Sequence, residues 1–347
     1  MSSSHHTRTF ARAVVTLALA LVSVFAVVTT SSATTPGHNG RIAYKGYLDA
    51  DRTTGAIFSV RPDGTRRRQL TRPATGTVDD QPDWSPNGAL VAFRRCAPET
   101  VCAIYTVHSN GTHLRRLSAP CAATGPSIET KCADESDVAF MPDGHRVVLT
   151  RATGRVRDFP GADSFIEHSD IVIRDLSGRH ARVVLRGTPF AGDNVQMVAS
   201  PNGRRIAFQR QNSPLGKPAN AVAVFVVRTN GSHLHRITPY ALGAGDHPDW
   251  SPNGHWILVR SHADGDFLSS QLYLLRPSGR RLHPVTHVGA DTRLLSSSFS
   301  PNGRRITLAM DGQGGEPDIF TMGLRSHRLR QITRTPQWES APDWGAR

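Results

Sequence analysis

The chain has 347 residues, with 41 Lys and Arg against 28 Asp and Glu and a formal charge of +13. Only Lys45, Lys131 and Lys217 are lysines, so the basic excess is an arginine excess and reads as genome-wide codon bias before it reads as a nucleic-acid surface. At 38% hydrophobic residues there is apolar material for a full core, which excludes a disordered chain.

The N-terminus comes first. Arg8 and Arg12 precede the uncharged run AVVTLALALVSVFAVV (13–28), and TTSSATT follows it. A basic start, an apolar middle and small residues at Ser31 and Ala33 describe a secretory leader, residues 1–33, cut after Ala33. The run's 16 residues fall short of the roughly 20 that span a bilayer, so no stable membrane insertion is expected after cleavage. Removing 1–33 takes away Arg8 and Arg12 and no acid, which lowers the formal charge from +13 to +11. Residues 34–39 are a short linker. The expected location is the periplasm, the cell envelope or the exterior, and export removes nucleic acid as a partner.

From residue 40 onward the sequence reads as strands. GRIAYKG (40–46), AIFSV (56–60) and PDGTRRRQLT (62–71) are the second, third and fourth strands of a unit that lacks its first. The heptad PDWSPNG then occurs at 82–88 and returns at 248–254, with looser relatives VAFMPDG (138–144), MVASPNG (197–203) and SSFSPNG (297–303) and a truncated PDWGAR at the C-terminus. The position of Trp84 is held in turn by Phe140, Ala199, Trp250, Phe299 and Trp344, at separations of 56, 59, 51, 49 and 45 residues. That period belongs to radial β-repeats. Each copy continues with an apolar strand such as LVAF (90–93) or RIAFQ (205–209), a second such as AIYTV (103–107) or AVFVVR (223–228), and a glycine turn leading to a strand that ends in Ser or Thr. Alternation, β-branched enrichment and Gly, Pro and Asn boundaries argue for strands and against helices. ESAPDWGAR (339–347) is a first strand with nothing after it, which complements the incomplete first unit. The expectation is an all-β, six-bladed β-propeller of four-stranded blades over 40–347, closed by the C-terminal strand completing the first blade. In this reading Pro and Asn-Gly form the hairpin turn and the aromatic plugs adjacent blades. Ala199 leaves its plug to another side chain.

The four cysteines, Cys96, Cys102, Cys121 and Cys132, lie in one interval, and in an exported chain an even number points to disulfides. Three connectivities are open. Short loops favour Cys96–Cys102 with Cys121–Cys132, and the lack of a C-x-x-C disfavours zinc.

PDWSPNG followed by an IAF-type strand, an IY-type strand and a DGTxxRRLT-type ending resembles the TolB-type propeller repeat, over about residues 40–347. The resemblance implies a fold and little about function, because the repeat residues are structural. It further implies that the α/β domain preceding the propeller in TolB is missing here, since only a few residues separate the leader from the first unit. Some related propellers are followed by a hydrolase domain; the expectation here is a propeller on its own, since these 347 residues contain no G-x-S-x-G.

Acids gather just before five of the six first strands, in VDDQ (78–81), ADESD (133–137), GDNVQ (192–196), GDHP (245–248) and WESA (338–341), while LLSS (294–297) has none. Asp79, Asp80, Glu135, Asp137, Asp193, Asp246 and Glu339, with His247, are the candidate ligand- or partner-binding residues at the channel mouth. A negative mouth on a positive body would receive a basic peptide segment or a divalent cation such as calcium; the competing role is acceptance of backbone N–H bonds that fix the loops. HADGDF (262–267) and DGQGG (311–315) are weaker motifs, and RRRQ (66–69) is a solvated stripe whose charge would favour anionic envelope polymers or lipid head groups. The functional expectation is a monomeric exported binding or scaffold protein with an envelope or extracellular protein or peptide as partner. The alternative is a propeller enzyme, a metal-assisted lyase or hydrolase, using the same mouth.

Overall fold

A computed structural model of the chain describes residues 36–98, 102–119, 134–156, 166–188, 191–212, 216–219, 221–261, 270–289, 292–311 and 315–347. The leader, Cys121, Cys132 and HADGDF lie outside the described residues.

The described chain is a succession of strands with one short 3-10 turn at Tyr240–Leu242. It begins with β1 (Asn39–Tyr47), β2 (Gly55–Val60) and β3 (Arg68–Gln69). Next come β4 (Val78–Trp84), β5 (Leu90–Cys96), β6 (Ala103–His108) and β7 (Arg115–Arg116). β8 (Glu135–Phe140), β9 (Arg146–Val156), β10 (Ile166–Asp175) and β11 (Ala181–Leu185) form one sheet. β12 (Asp193–Ala199), β13 (Arg205–Gln211), β14 (Val222–Arg228) and β15 (His235–Arg236) form another. β16 (Gly245–Trp250), β17 (Ile257–Ser261), β18 (Gln271–Leu275) and β19 (His283–Pro284) follow. The series ends with β20 (Leu294–Phe299), β21 (Arg305–Met310), β22 (Asp318–Gly323), β23 (Leu329–Gln331) and β24 (Glu339–Ala346).

Four of the sheets are four-stranded antiparallel meanders. β24 runs antiparallel to β1, with Ile42 opposite Trp344, so the last strand completes the first group as the truncated PDW implied. That group and the β4–β7 group touch through a single parallel pair, Gly55 with Val78, and so count as one eight-stranded sheet. Contacts between the innermost strands run from β4 to β8, β12, β16, β20, β24 and back to β4. The architecture is all-β and of propeller type.

Strand alternation explains how the sheets stack. Successive side chains point to opposite faces, so Ile206 and Phe208 of β13 join a core shared with β8–β11, while Ala207 joins one shared with β16–β18. Trp84, Phe140, Ala199, Trp250, Phe299 and Trp344 each sit in a different inter-sheet core. At Ala199 the missing aromatic volume is supplied by Met141 and Met197, both buried beside it.

The repeated turn is held by its own side chains. Ser85 Oγ donates to Asn87 Oδ1 at 2.8 Å and accepts Leu90 N–H at 2.9 Å, and Ser200, Ser251 and Ser300 repeat the pattern with Asn202, Asn253 and Asn302. Gly88, at φ +66°, meets the carbonyl oxygen of Ala346 at the ring seam so closely that a Cβ would lie 2.4 Å from it. The small hydroxyl closing each unit also has a function in the fold. Thr71, Ser118, Thr238, Thr286 and Thr333 accept the backbone N–H of Ile57, Ile104, Val224, Leu272 and Ile319 at 2.7–2.9 Å. The expected Cys96–Cys102 disulfide is formed.

Candidate functional site

The innermost strands run from the channel mouth toward the repeated turn. Each carries a register shift near its start, between Asp80 and Asp83, Ser136 and Val138, Val195 and Val198, and Gly245 and Asp249. At this bulge Gln81, Asp137, Gln196, His247 and Ala341 take φ of 46–53°. A bulge re-aims a side chain. Because Ala341 shares the conformation, it belongs to the architecture and does not by itself mark His247 as catalytic.

This geometry sorts the sequence-derived acids into three sets. The first occupies one repeat position, five residues before the aromatic, and is turned into the fold. Asp79, fully buried, accepts Arg95 through both oxygens at 2.5 and 2.8 Å. Glu135 accepts both Arg174 Nη atoms, one at 2.7 Å, and Ser118 Oγ at 2.7 Å. Glu339 Oε1 accepts Arg67 at 3.3 Å and Thr335 Oγ1 at 3.1 Å, and burial pushes its carboxyl above the usual range. Asn194 holds the same position and accepts Arg210 Nε at 2.8 Å. These are arginine clamps that tie each inner strand to its sheet.

The second set faces the channel. Asp80 Oδ2 accepts Lys45 Nζ at 3.0 Å and Arg94 at 3.4 Å. Burial would raise its carboxyl, but Lys45 and Arg94 outweigh it and hold the group below the ordinary range. Asp137 accepts Ser136 Oγ at 3.1 Å. The His247 backbone N–H donates to Gln196 Oε1 at 2.7 Å. Its imidazole is pushed below the ordinary value by burial; Asp137 and Asp80 oppose that shift, and Arg94 and Lys45 reinforce it. The neutral imidazole is thereby favoured, with two carboxylates and two cations as its charged neighbours. The third set is Asp193, half-buried at the head of β12 opposite Gln211, and Asp246, which lies in β16 and whose side chain is outside the description. Asp311 of DGQGG pairs with Arg293 at 2.5 Å.

A cavity of about 80 Å³ is lined by Asp137 and His247 of the second set together with Asp83, Asp249 and Asp343. The last three are the aspartates of the three PDW copies, and each accepts the backbone N–H of the next inner strand: Asp83 from Phe140 at 2.7 Å, Asp249 from Phe299 at 2.6 Å and Asp343 from Trp84 at 2.8 Å. Burial raises the Asp83 carboxyl well above the usual range, with repulsion from Asp343 and Asp249 adding to it; burial also raises Asp343. Reading the heptad as turn and plug missed this role. The signal was present, since an Asp stands immediately before every tryptophan of the repeat. Lys45, Arg94, Gln81 and Gln196 were also missed, because they come from other strands or carry no charge.

Among the described residues, no group of three or more His, Cys, Asp or Glu is arranged to hold a metal ion. The mouth offers both charge signs within one site.

No family model matches the chain, and no curated protein matches it. Solved structures do resemble it. TolB from Acinetobacter baumannii superposes with a TM-score of 0.65 at 18% identity, over 89% of this chain and 67% of that one. A putative TolB from Agrobacterium tumefaciens gives 0.57 at 14% identity, over 88% and 98%. An oligogalacturonate lyase in complex with manganese gives 0.50 at 12% identity, over 81% and 71%. At these identities the likeness is one of fold: a TolB-like β-propeller.

Proposed function

We propose that the chain is an exported six-bladed β-propeller that binds a polypeptide segment of an envelope or extracellular protein at its channel mouth. The cyclic order of the innermost strands and the pairing of β24 with β1 support six blades over residues 40–347 as one domain, behind a leader at 1–33 and a linker at 34–39. The Cys96–Cys102 disulfide is compatible with an oxidising compartment.

The observation that carries the binding reading is the convergence of Lys45, Asp80, Arg94, Asp137 and His247 from β1, β4, β5, β8 and β16 on one opening. Mixed donors and acceptors above a channel closed by carboxylates can pair with backbone and side chains of an inserted segment, and complementarity of this kind sets specificity. The test is affinity capture from envelope extract with the mature protein and with a Lys45→Ala, Asp137→Asn, His247→Gln variant. A partner retained by the parent and lost by a folded variant supports the reading. Equal capture by both overturns it. Turnover of uronate oligomers that disappears in the same variant would instead favour the lyase alternative.

A further inference from the structure

On the face opposite the mouth, at the ring seam, a groove of about 750 Å³ lies between the turn after β2, the repeated turn after β4 and the end of β24. Arg41, Arg61, Arg68, Asn87, Asn110 and Arg347 line it, and Arg66 stands close enough to repel Arg41. We propose that this groove is a binding site for a phosphate-bearing anion.

Three observations carry the assignment. Among the described residues, no carboxylate forms an ion pair with Arg61, Arg66, Arg68 or Arg347. The one acid in the lining, Asp63, has its Oδ1 taken by the N–H and hydroxyl of Thr65, at 2.8 and 2.7 Å. Arg41 is fixed, donating to the side chain and carbonyl of Ser59 at 3.0 Å and to the carbonyl of Arg66, so its guanidinium cannot swing away from its neighbours. Loss of water and the charges of Arg68, Arg61 and Arg66 together push its pKa down. Four guanidiniums around one cavity outweigh the charge of Asp63, the side-chain acid in its lining, and leave a ready place for an anion.

Guanidinium forks match phosphate oxygens bidentately, and the amides of Asn87 and Asn110 add neutral donors beside them. A phosphate carries more charge than one carboxylate can bring. The three consecutive arginines at 66–68 thus divide their work. Arg67 turns to Tyr44 and Glu339, while Arg66 and Arg68 stay with the groove.

The experiment is calorimetric titration of the mature protein with tripolyphosphate, with citrate as the carboxylate control. Saturable binding that weakens as salt is raised, at least tenfold weaker in Arg61→Gln/Arg68→Gln and unchanged in Arg304→Gln/Arg325→Gln, supports the site. Citrate binding as tightly as tripolyphosphate, or both double variants losing equally, overturns it in favour of general surface charge. Cosedimentation with phosphatidylglycerol vesicles, lost in the first double variant, supports a lipid head group as the source. Tripolyphosphate binding without vesicle binding supports a soluble phosphate. A readout that needs no variant is phenylglyoxal modification of Arg61 and Arg68: protection by tripolyphosphate is expected, and unchanged modification overturns the proposal.

Discussion

The Asp343 carboxylate accepts the backbone N–H of Trp84 at 2.8 Å across 259 positions of sequence, joining the last strand to the first complete repeat. Its other oxygen accepts Ser298 Oγ at 3.0 Å, so one side chain links three neighbouring inner strands. Asp343→Ala removes the acceptor and leaves a buried N–H unpaired, at a cost of about 1–3 kcal/mol. Asp343→Asn retains an acceptor and should cost less. Urea denaturation of the two variants measures the difference, and equal midpoints would remove the strand-linking role.

Burial raises the carboxyls of Asp83 and Asp343 above the ordinary aspartate value of 3.8. A carboxyl that binds its proton more tightly folded than unfolded stabilises the fold at low pH. That contribution is lost as pH rises from about 4 through the raised folded value. Asp80, held below its ordinary value, contributes in the opposite sense. The difference in melting temperature between parent and Asp83→Asn/Asp343→Asn should therefore move in the variant's favour as pH is raised above 4. A difference independent of pH would show that the two acids titrate normally.

Burial holds His247 below the ordinary histidine value of 6.5. The folded state then prefers the neutral ring, so its contribution is full above pH 6.5 and is lost as pH falls below that value. His247→Gln should flatten the melting profile between pH 7 and 5, and an unchanged slope would place the titration elsewhere.

Glu135 and Asp137 are two residues apart and should behave oppositely. Glu135 shares a buried bidentate pair with Arg174, and both side chains are under 10% exposed. Glu135→Ala strands a buried guanidinium and should cost about 3–5 kcal/mol. Asp137→Asn retains the acceptor for Ser136, should cost under about 1 kcal/mol, and should alter partner capture. Reversal of that order in denaturant melts would reassign the two residues.

Cys96 and Cys102, six residues apart, close a short loop at the end of β5. Replacing both with serine should cost about 2 kcal/mol by loss of chain constraint. A melt of the double variant that matches parent protein under reducing conditions checks the assignment.

What the sequence determined by itself was the architecture. A turn such as Ser-Pro-Asn-Gly is satisfied by its own side chains, and period-two alternation places Ile206 and Ala207 in different cores whatever the neighbours are. PDW at the C-terminus even told which strand it would complete, because an unpaired first strand and a unit without one have a single mutual solution. The site was only half legible. Asp79 and Asp80 are adjacent in sequence, yet the pleat turns one into a clamp with Arg95 and the other toward Lys45 at the mouth. Which of two neighbouring acids meets an arginine depends on a bulge and on a side chain from another strand, and neither is a local property. The same holds for Asp83, whose carboxyl is raised by burial and by Asp343 and Asp249, residues up to 260 positions away in sequence. Local chemistry wrote the blades; only their assembly decided which charges face the channel, which are consumed in holding it, and which arginines gather at the seam.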